Sequence, residues 1–330
     1  MSQELKKIVS IVLPCFLSLI LLAWLFVTID FKHMWLVVKG ADMRYMTAAG
    51  VIFFMINFLI IWRWRILMKA VGLKSRRLTS VRWFFLGLFC SLFPISPVGS
   101  DAIRGLGLAG ETGHKTKVFA SIVLDRLSGF AGIVILAAVA FLFGRSIVAN
   151  KLVIIAIASM TLVSLMIAVV LFSHRIFSFA CKAFAAWPKV KDSLMRLHFD
   201  IVLLKGRQKQ GMESIVISVV AQVILAVEFY LTAKGMHQHI ALVYFIIFSP
   251  IVCVVTSLPS IGGLGFREIG WVSLLFLVGV PKEVAGGLSL INSAFTILSG
   301  LIGGLLYVTT LSSGRIQYSQ TDPGFQRSSS

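Results

Sequence analysis

Apolar runs of membrane-spanning length recur along this chain, over residues 8–29, 45–62, 118–143, 152–172, 214–233, 241–258 and 284–308. A helix gains about 1.5 Å per residue, so roughly 20 apolar residues cross a hydrocarbon core about 30 Å thick. A soluble globule could not cover so many such runs, because 58% of the residues are hydrophobic and only 13% charged, with a mean hydropathy of +0.94. The chain therefore reads as an all-α polytopic membrane helix bundle of roughly seven to nine membrane segments. One membrane domain occupies residues 1–311, and a polar, disordered tail is expected over 312–330.

Lys plus Arg outnumber Asp plus Glu by 31 to 13. In a soluble protein that excess would suggest nucleic acid, but here the bases flank apolar runs, as positive-inside topology and anionic headgroups require. Nucleic acid is not expected as a partner; membrane lipids are. The basic start, with Lys6 and Lys7, places the N-terminus in the cytoplasm, and the first run is too long for a cleaved signal. A cell (inner) membrane location follows. Trp62-Arg63-Trp64-Arg65, followed by Lys69, Lys74, Arg76, Arg77 and Arg82, reads as a cytoplasmic interface and loop. Phe31, Met34, Trp35 and Val38 are spaced for a short helix in the headgroup plane. Residues 174–211 hold eight bases against two Asp around apolar positions spaced by three or four, a basic amphipathic helix. Cys15, Cys90, Cys181 and Cys253 are isolated, the histidines lie near loops, and neither metal nor cofactor is expected.

Two apolar runs stop short. Residues 83–97 span only 15 positions and close in Pro94, Ser96, Pro97 and Gly99, then deliver Asp101 and Arg104. Residues 258–265 again end in Pro, Ser and Gly, then deliver Arg267 and Glu268. Such breaks survive at membrane depth only inside protein or beside a wet cavity, so two re-entrant or broken-helix elements are expected.

Ionisable groups within membrane segments are costly and therefore functional candidates. Here they are Asp101, Arg104, Asp125, Arg126, Glu228, Arg267 and Glu268. On one reading they only neutralise one another in pairs. On the other, Arg104, Arg126 and Arg267 converge on a cavity and bind a lipid phosphate with their planar forks. Gly99, Gly262, Gly263 and Gly265 would then bring backbone N–H groups to the same phosphate, with Asp101, Asp125, Glu228 and Glu268 as charge partners or coupling groups. No hydrolase, zinc-protease or Walker motif is present, so no catalytic residue is assigned.

Four motifs resemble one family: Arg63-Trp64-Arg65, Pro97-Val98-Gly99-Ser100-Asp101-Ala102-Ile103-Arg104, Leu124-Asp125-Arg126-Leu127 and Pro259-Ser260-Ile261-Gly262-Gly263-Leu264-Gly265-Phe266-Arg267-Glu268. They resemble the membrane domain of lysylphosphatidylglycerol synthases, the flippase-like domain of multiple peptide resistance factors, over residues 8–308. Ser100 departs from the family's paired glycines. The resemblance implies a bacterial or archaeal membrane protein that moves or binds a phospholipid or polyprenyl-linked lipid. It does not imply lysine transfer, which the family carries on a soluble C-terminal domain; 22 residues follow Val308 here. The leading expectation is a translocator of an anionic lipid headgroup. The alternative is a non-catalytic membrane partner of an envelope glycosyltransferase or lipid-modifying enzyme.

Overall fold

The computed structural model describes residues 31–93, 97–143, 207–256 and 265–320, with isolated positions 155 and 162. Among these the chain is helical, without strands: α1 (Phe31–Lys39), α2 (Met43–Ala70), α3 (Arg77–Ser91), α4 (Pro97–Thr112), α5 (Lys115–Phe143), α6 (Gln208–Gly235), α7 (Leu242–Val255), α8 (Phe266–Phe276) and α9 (Lys282–Gln320). The run 8–29, nearly all of 152–172, most of 174–211 and the end 321–330 lie outside the described residues. Four described helices are long and apolar enough to cross a membrane: α2, α5, α6 and the Lys282–Leu306 part of α9. They correspond to the runs at 45–62, 118–143, 214–233 and 284–308. α9 continues through residues 312–320. Extending a formed helix costs far less than nucleating one, and the next proline is Pro323.

α2 and α6 form an antiparallel spine. The Asp42 N–H donates to the Gly235 carbonyl at 2.7 Å at one end. Arg63 Nη1 donates to Ser218 Oγ at 3.0 Å midway, and Arg207 Nη1 donates to the Lys69 carbonyl at 2.6 Å at the other end. Asp42 caps α2 by accepting the Arg44 N–H at 2.8 Å. Gly72, at φ 72°, closes the helix, with the Leu73 N–H returning to the Met68 carbonyl. The helix thus runs eight residues beyond Trp62, through the stretch read above as an interface.

α3 and α4 form a hairpin that leaves from the end where α2 stops. Trp83 Nε1 donates to Glu111 Oε1 at 3.0 Å, and Arg82 pairs with the same carboxylate. Gly107 is required for the crossing, since a Cβ there would lie 2.0 Å from the Trp83 ring. This end also carries Lys74, Arg76, Arg77, Lys117 and Lys209 and is the basic end of the molecule. The break expected from Pro94 to Gly105 is narrower than the composition suggests. Helix resumes at Pro97, which suits a first helical turn because its missing N–H would have no partner there anyway.

α7 and α8 form a second hairpin from the opposite end. Phe245 stacks on Phe229, while Ser249 Oγ and Cys253 Sγ approach Gln222 Oε1 at 3.4 and 3.7 Å, so α7 runs antiparallel to α6 toward the molecular middle. α8 returns with Trp271 against Phe229 at 4.1 Å between ring centroids. α9 then runs parallel to α2, with Asn57 Nδ2 donating to Ser299 Oγ at 3.3 Å, and leads to the basic end. Both hairpins also meet α9. A Cβ on Gly300 would meet Leu92 at 2.6 Å, and Arg267 reaches Thr296 one turn earlier.

Apolar packing follows the same division. One core joins α2, α3, α4 and α5 around Trp64, Leu67, Phe84 and Leu108. The other joins α6, α7, α8 and α9 around Phe229, Phe245, Trp271 and Leu288, and α1 adds Met34. Trp35 and Leu36 on α1 stay exposed, in keeping with an amphipathic segment.

Candidate functional site

The first polar cluster lies within the core of the first hairpin. On α4, Asp101 and Arg104 are three residues apart and share a face, with Arg104 Nη2 at 3.0 Å from Asp101 Oδ1. Arg104 Nη2 also lies 3.4 Å from Asp125 Oδ2 on α5. The other oxygen of Asp125 takes Arg63 Nε at 2.8 Å, while Arg126 Nε reaches Asp101 Oδ2 at 2.5 Å. These contacts form a chain, Arg63–Asp125–Arg104–Asp101–Arg126, with three guanidinium groups for two carboxylates. Its Asp125 end is 3% exposed, whereas the Arg126 side chain is 46% exposed. The cluster therefore opens outward at Arg126.

Several features hold the forks in place. The Arg104 guanidinium lies 4.4 Å from the Trp64 ring centre and 5.8 Å from that of Phe84, a desolvated cation–π sandwich. Trp64 is itself fixed by donating Nε1–H to Ser121 Oγ at 3.1 Å. Gly129 makes room for Arg63, since a Cβ there would lie 3.3 Å from Nη1. Arg104 Nε is buried without a hydrogen-bond partner among the described residues. Such an orphaned donor costs about 1–3 kcal/mol, and more for a charged group.

The second cluster lies where the other hairpin meets α9. Arg267 Nη1 donates to Asn292 Oδ1 at 3.1 Å and to Thr296 Oγ1 at 2.8 Å. Asn292 Nδ2 continues to Glu228 Oε2 at 3.0 Å, and Thr232 Oγ1 donates to Glu228 Oε1 at 3.3 Å. Glu268 accepts Ser293 Oγ–H and the Gly265 N–H, both at 2.6 Å. Gly265 adopts φ 87°, a conformation that glycine tolerates, and this turns its N–H back onto the start of α8. That N–H is therefore used within the helix start.

The sequence candidates thus divide between two networks. Asp101, Arg104, Asp125 and Arg126 come together; Glu228, Arg267, Glu268 and Gly265 come together elsewhere. Both networks touch α6, at Ser218 and at Glu228, ten residues or about 15 Å apart along the axis. Among the described residues Arg104 and Arg267 belong to separate networks and share no partner. Gly99 lies in the first turn of α4, while Gly262 and Gly263 lie outside the described residues. Arg63 is the residue the physical reading misplaced. It is 9% exposed inside α2 instead of at an interface, and its partner Asp125 is 62 positions away. Asn292, Ser293 and Thr296 were also missed; their spacing along one face of an apolar helix was the available signal.

The chain is 25% identical over 331 aligned residues to the UPF0104 membrane protein PH1989 of Pyrococcus horikoshii, covering 92% of this chain and 96% of that protein. No solved structure matches the chain. Residues 11–304, which include every charged residue of both clusters, match the family described as Lysylphosphatidylglycerol synthase TM region, and the chain is a membrane protein belonging to that family.

Proposed function

We propose that the protein binds an anionic lipid headgroup, of a phospholipid or a polyprenyl-linked lipid, at the first cluster and carries it between leaflets. One observation carries this reading: a buried chain of three arginines and two aspartates, with an unpartnered Arg104 Nε inside and a half-exposed Arg126 at its mouth. One positive charge is in excess within an apolar core, and a phosphate would both neutralise it and accept the free N–H. The two hairpins extend the reading. On this reading they re-enter from opposite ends, with Leu92 and Arg267 meeting α9 four residues apart, where a headgroup crossing the bilayer would need polar backbone. The basic end faces the cytoplasm of a cell membrane on the positive-inside rule, and the α3–α4 hairpin re-enters from that side.

The test is leaflet-resolved labelling in proteoliposomes of the purified protein, with an anionic phospholipid and phosphatidylcholine as parallel probes. Movement of the anionic probe above the protein-free rate supports translocation. Binding without movement would leave a lipid-holding partner of an envelope enzyme, and the translocator reading would fail.

A further inference from the structure

Three adjoining cavities surround the last turns of α2, away from both polar clusters. One of about 380 Å³ is lined by Arg65, Lys69, Lys74 and Arg207 among others. A second, of about 370 Å³, brings Arg77 to Arg65 and Lys69, beside Trp62 and Ile66. The third, of about 820 Å³, is an apolar groove between α2 and α6 lined by Trp62, Ile66, Met212 and Val216, with Lys69, Lys209 and Glu213 as its charged members. Lys69 lines all three, so the charged cavities and the apolar groove adjoin at this side chain.

None of Arg65, Lys69, Lys74, Arg77, Arg207 and Lys209 forms an ion pair among the described residues. Across the groove, Trp62, Met212 and Val216 are more than half exposed. Bases with no ion-pair partner among the described residues, at a helix end beside a half-exposed apolar channel, call for a ligand that is anionic at one end and apolar at the other. We propose that this groove is a binding site for an anionic phospholipid, with its phosphate among Arg65, Lys69 and Arg77 and an acyl chain along Trp62, Ile66, Met212 and Val216. Basic pockets between membrane helices take lipid headgroups on these terms. The site shares no residue with the Arg63–Arg126 chain, and it stands whether or not the protein moves lipid.

The experiment uses the full chain in phosphatidylcholine vesicles doped with phosphatidylglycerol bearing a photoactivatable acyl chain, with labelled peptides mapped by mass spectrometry. Labels are expected on Trp62, Ile66, Met212 or Val216. Combining Arg65→Gln, Lys69→Gln and Arg77→Gln should reduce them on the order of a hundred-fold, each base near an anionic lipid being worth about a factor of five. Glu213→Gln, which removes the groove's carboxylate, should raise labelling about five-fold and serves if the triple variant does not fold. Arg126→Gln should leave labelling unchanged, so failure of translocation and failure of this site are separable. Equal labelling by a phosphatidylcholine probe would reduce the site to ordinary lipid contact and overturn the proposal. So would labels elsewhere, no response to Glu213→Gln, or loss of labelling in Arg126→Gln.

Discussion

The two hairpins bring opposite kinds of polar chemistry into the bundle. The first builds its cluster from direct ion pairs, with three arginines for two carboxylates and a mouth at Arg126. The second has one arginine for two carboxylates, and its forks and oxygens are met by Asn292, Ser293, Thr232 and Thr296. Glu228 and Glu268 are both 0% exposed. Neutral hydroxyls and amides satisfy a fixed geometry, whereas an excess of guanidinium groups leaves room for an anion. Under the proposed function the difference gives headgroup binding to the first cluster, while the second ties α8 to α9 through Arg267, Asn292 and Thr296.

The largest effect should come from Asp125→Ala, which strips both Arg63 and Arg104 of a buried partner. Breaking such a pair costs about 3–5 kcal/mol, to be read as a fall in unfolding midpoint in detergent. If Asp125→Ala cost no more than Thr296→Val, the contrast between an ionic and a neutral cluster would collapse. Next is Gly303→Ala. A Cβ there would lie 2.1 Å from the Phe85 carbonyl oxygen, so α3 must move off α9 at a cost of about 1–3 kcal/mol. Gly110→Ala, with nothing within 4 Å, is the matched control and should be neutral or slightly stabilising. Smallest is Thr296→Val, which removes one acceptor of Arg267 Nη1 and leaves Asn292 Oδ1, and it should cost about 1 kcal/mol by the same unfolding measurement.

The sequence showed most of this arrangement where the cause was local. Run length and polarity marked the spanning helices, and the rule that charges are rare at membrane depth picked out Asp101, Arg104, Asp125, Arg126, Glu228, Arg267 and Glu268. Contacts between distant segments were the part it hid. Arg63 and Trp64 look interfacial because Trp and Arg alternate there, and only Asp125, Arg104 and Ser121 on other helices hold them inside. Pro97 looks like the middle of a break, yet it starts a helix whose second turn carries Asp101 and Arg104. Gly265 looks like a free donor until Glu268, three residues on, accepts its N–H. That the two hairpins enter from opposite ends depends on which helices they touch, and a hydropathy pattern carries no such information.

The central claim is that the first cluster holds the anionic headgroup, and Arg126 tests it most directly because its half-exposed side chain can be changed with little disturbance to the core. The measurement is the rate of anionic-lipid movement between leaflets in proteoliposomes, for the wild type, Arg126→Gln and Arg126→Lys, each checked for an unchanged unfolding midpoint. The account predicts movement in the wild type, loss in Arg126→Gln and partial recovery in Arg126→Lys, since lysine restores the charge without the planar fork. Movement in Arg126→Gln at the wild-type rate would contradict it.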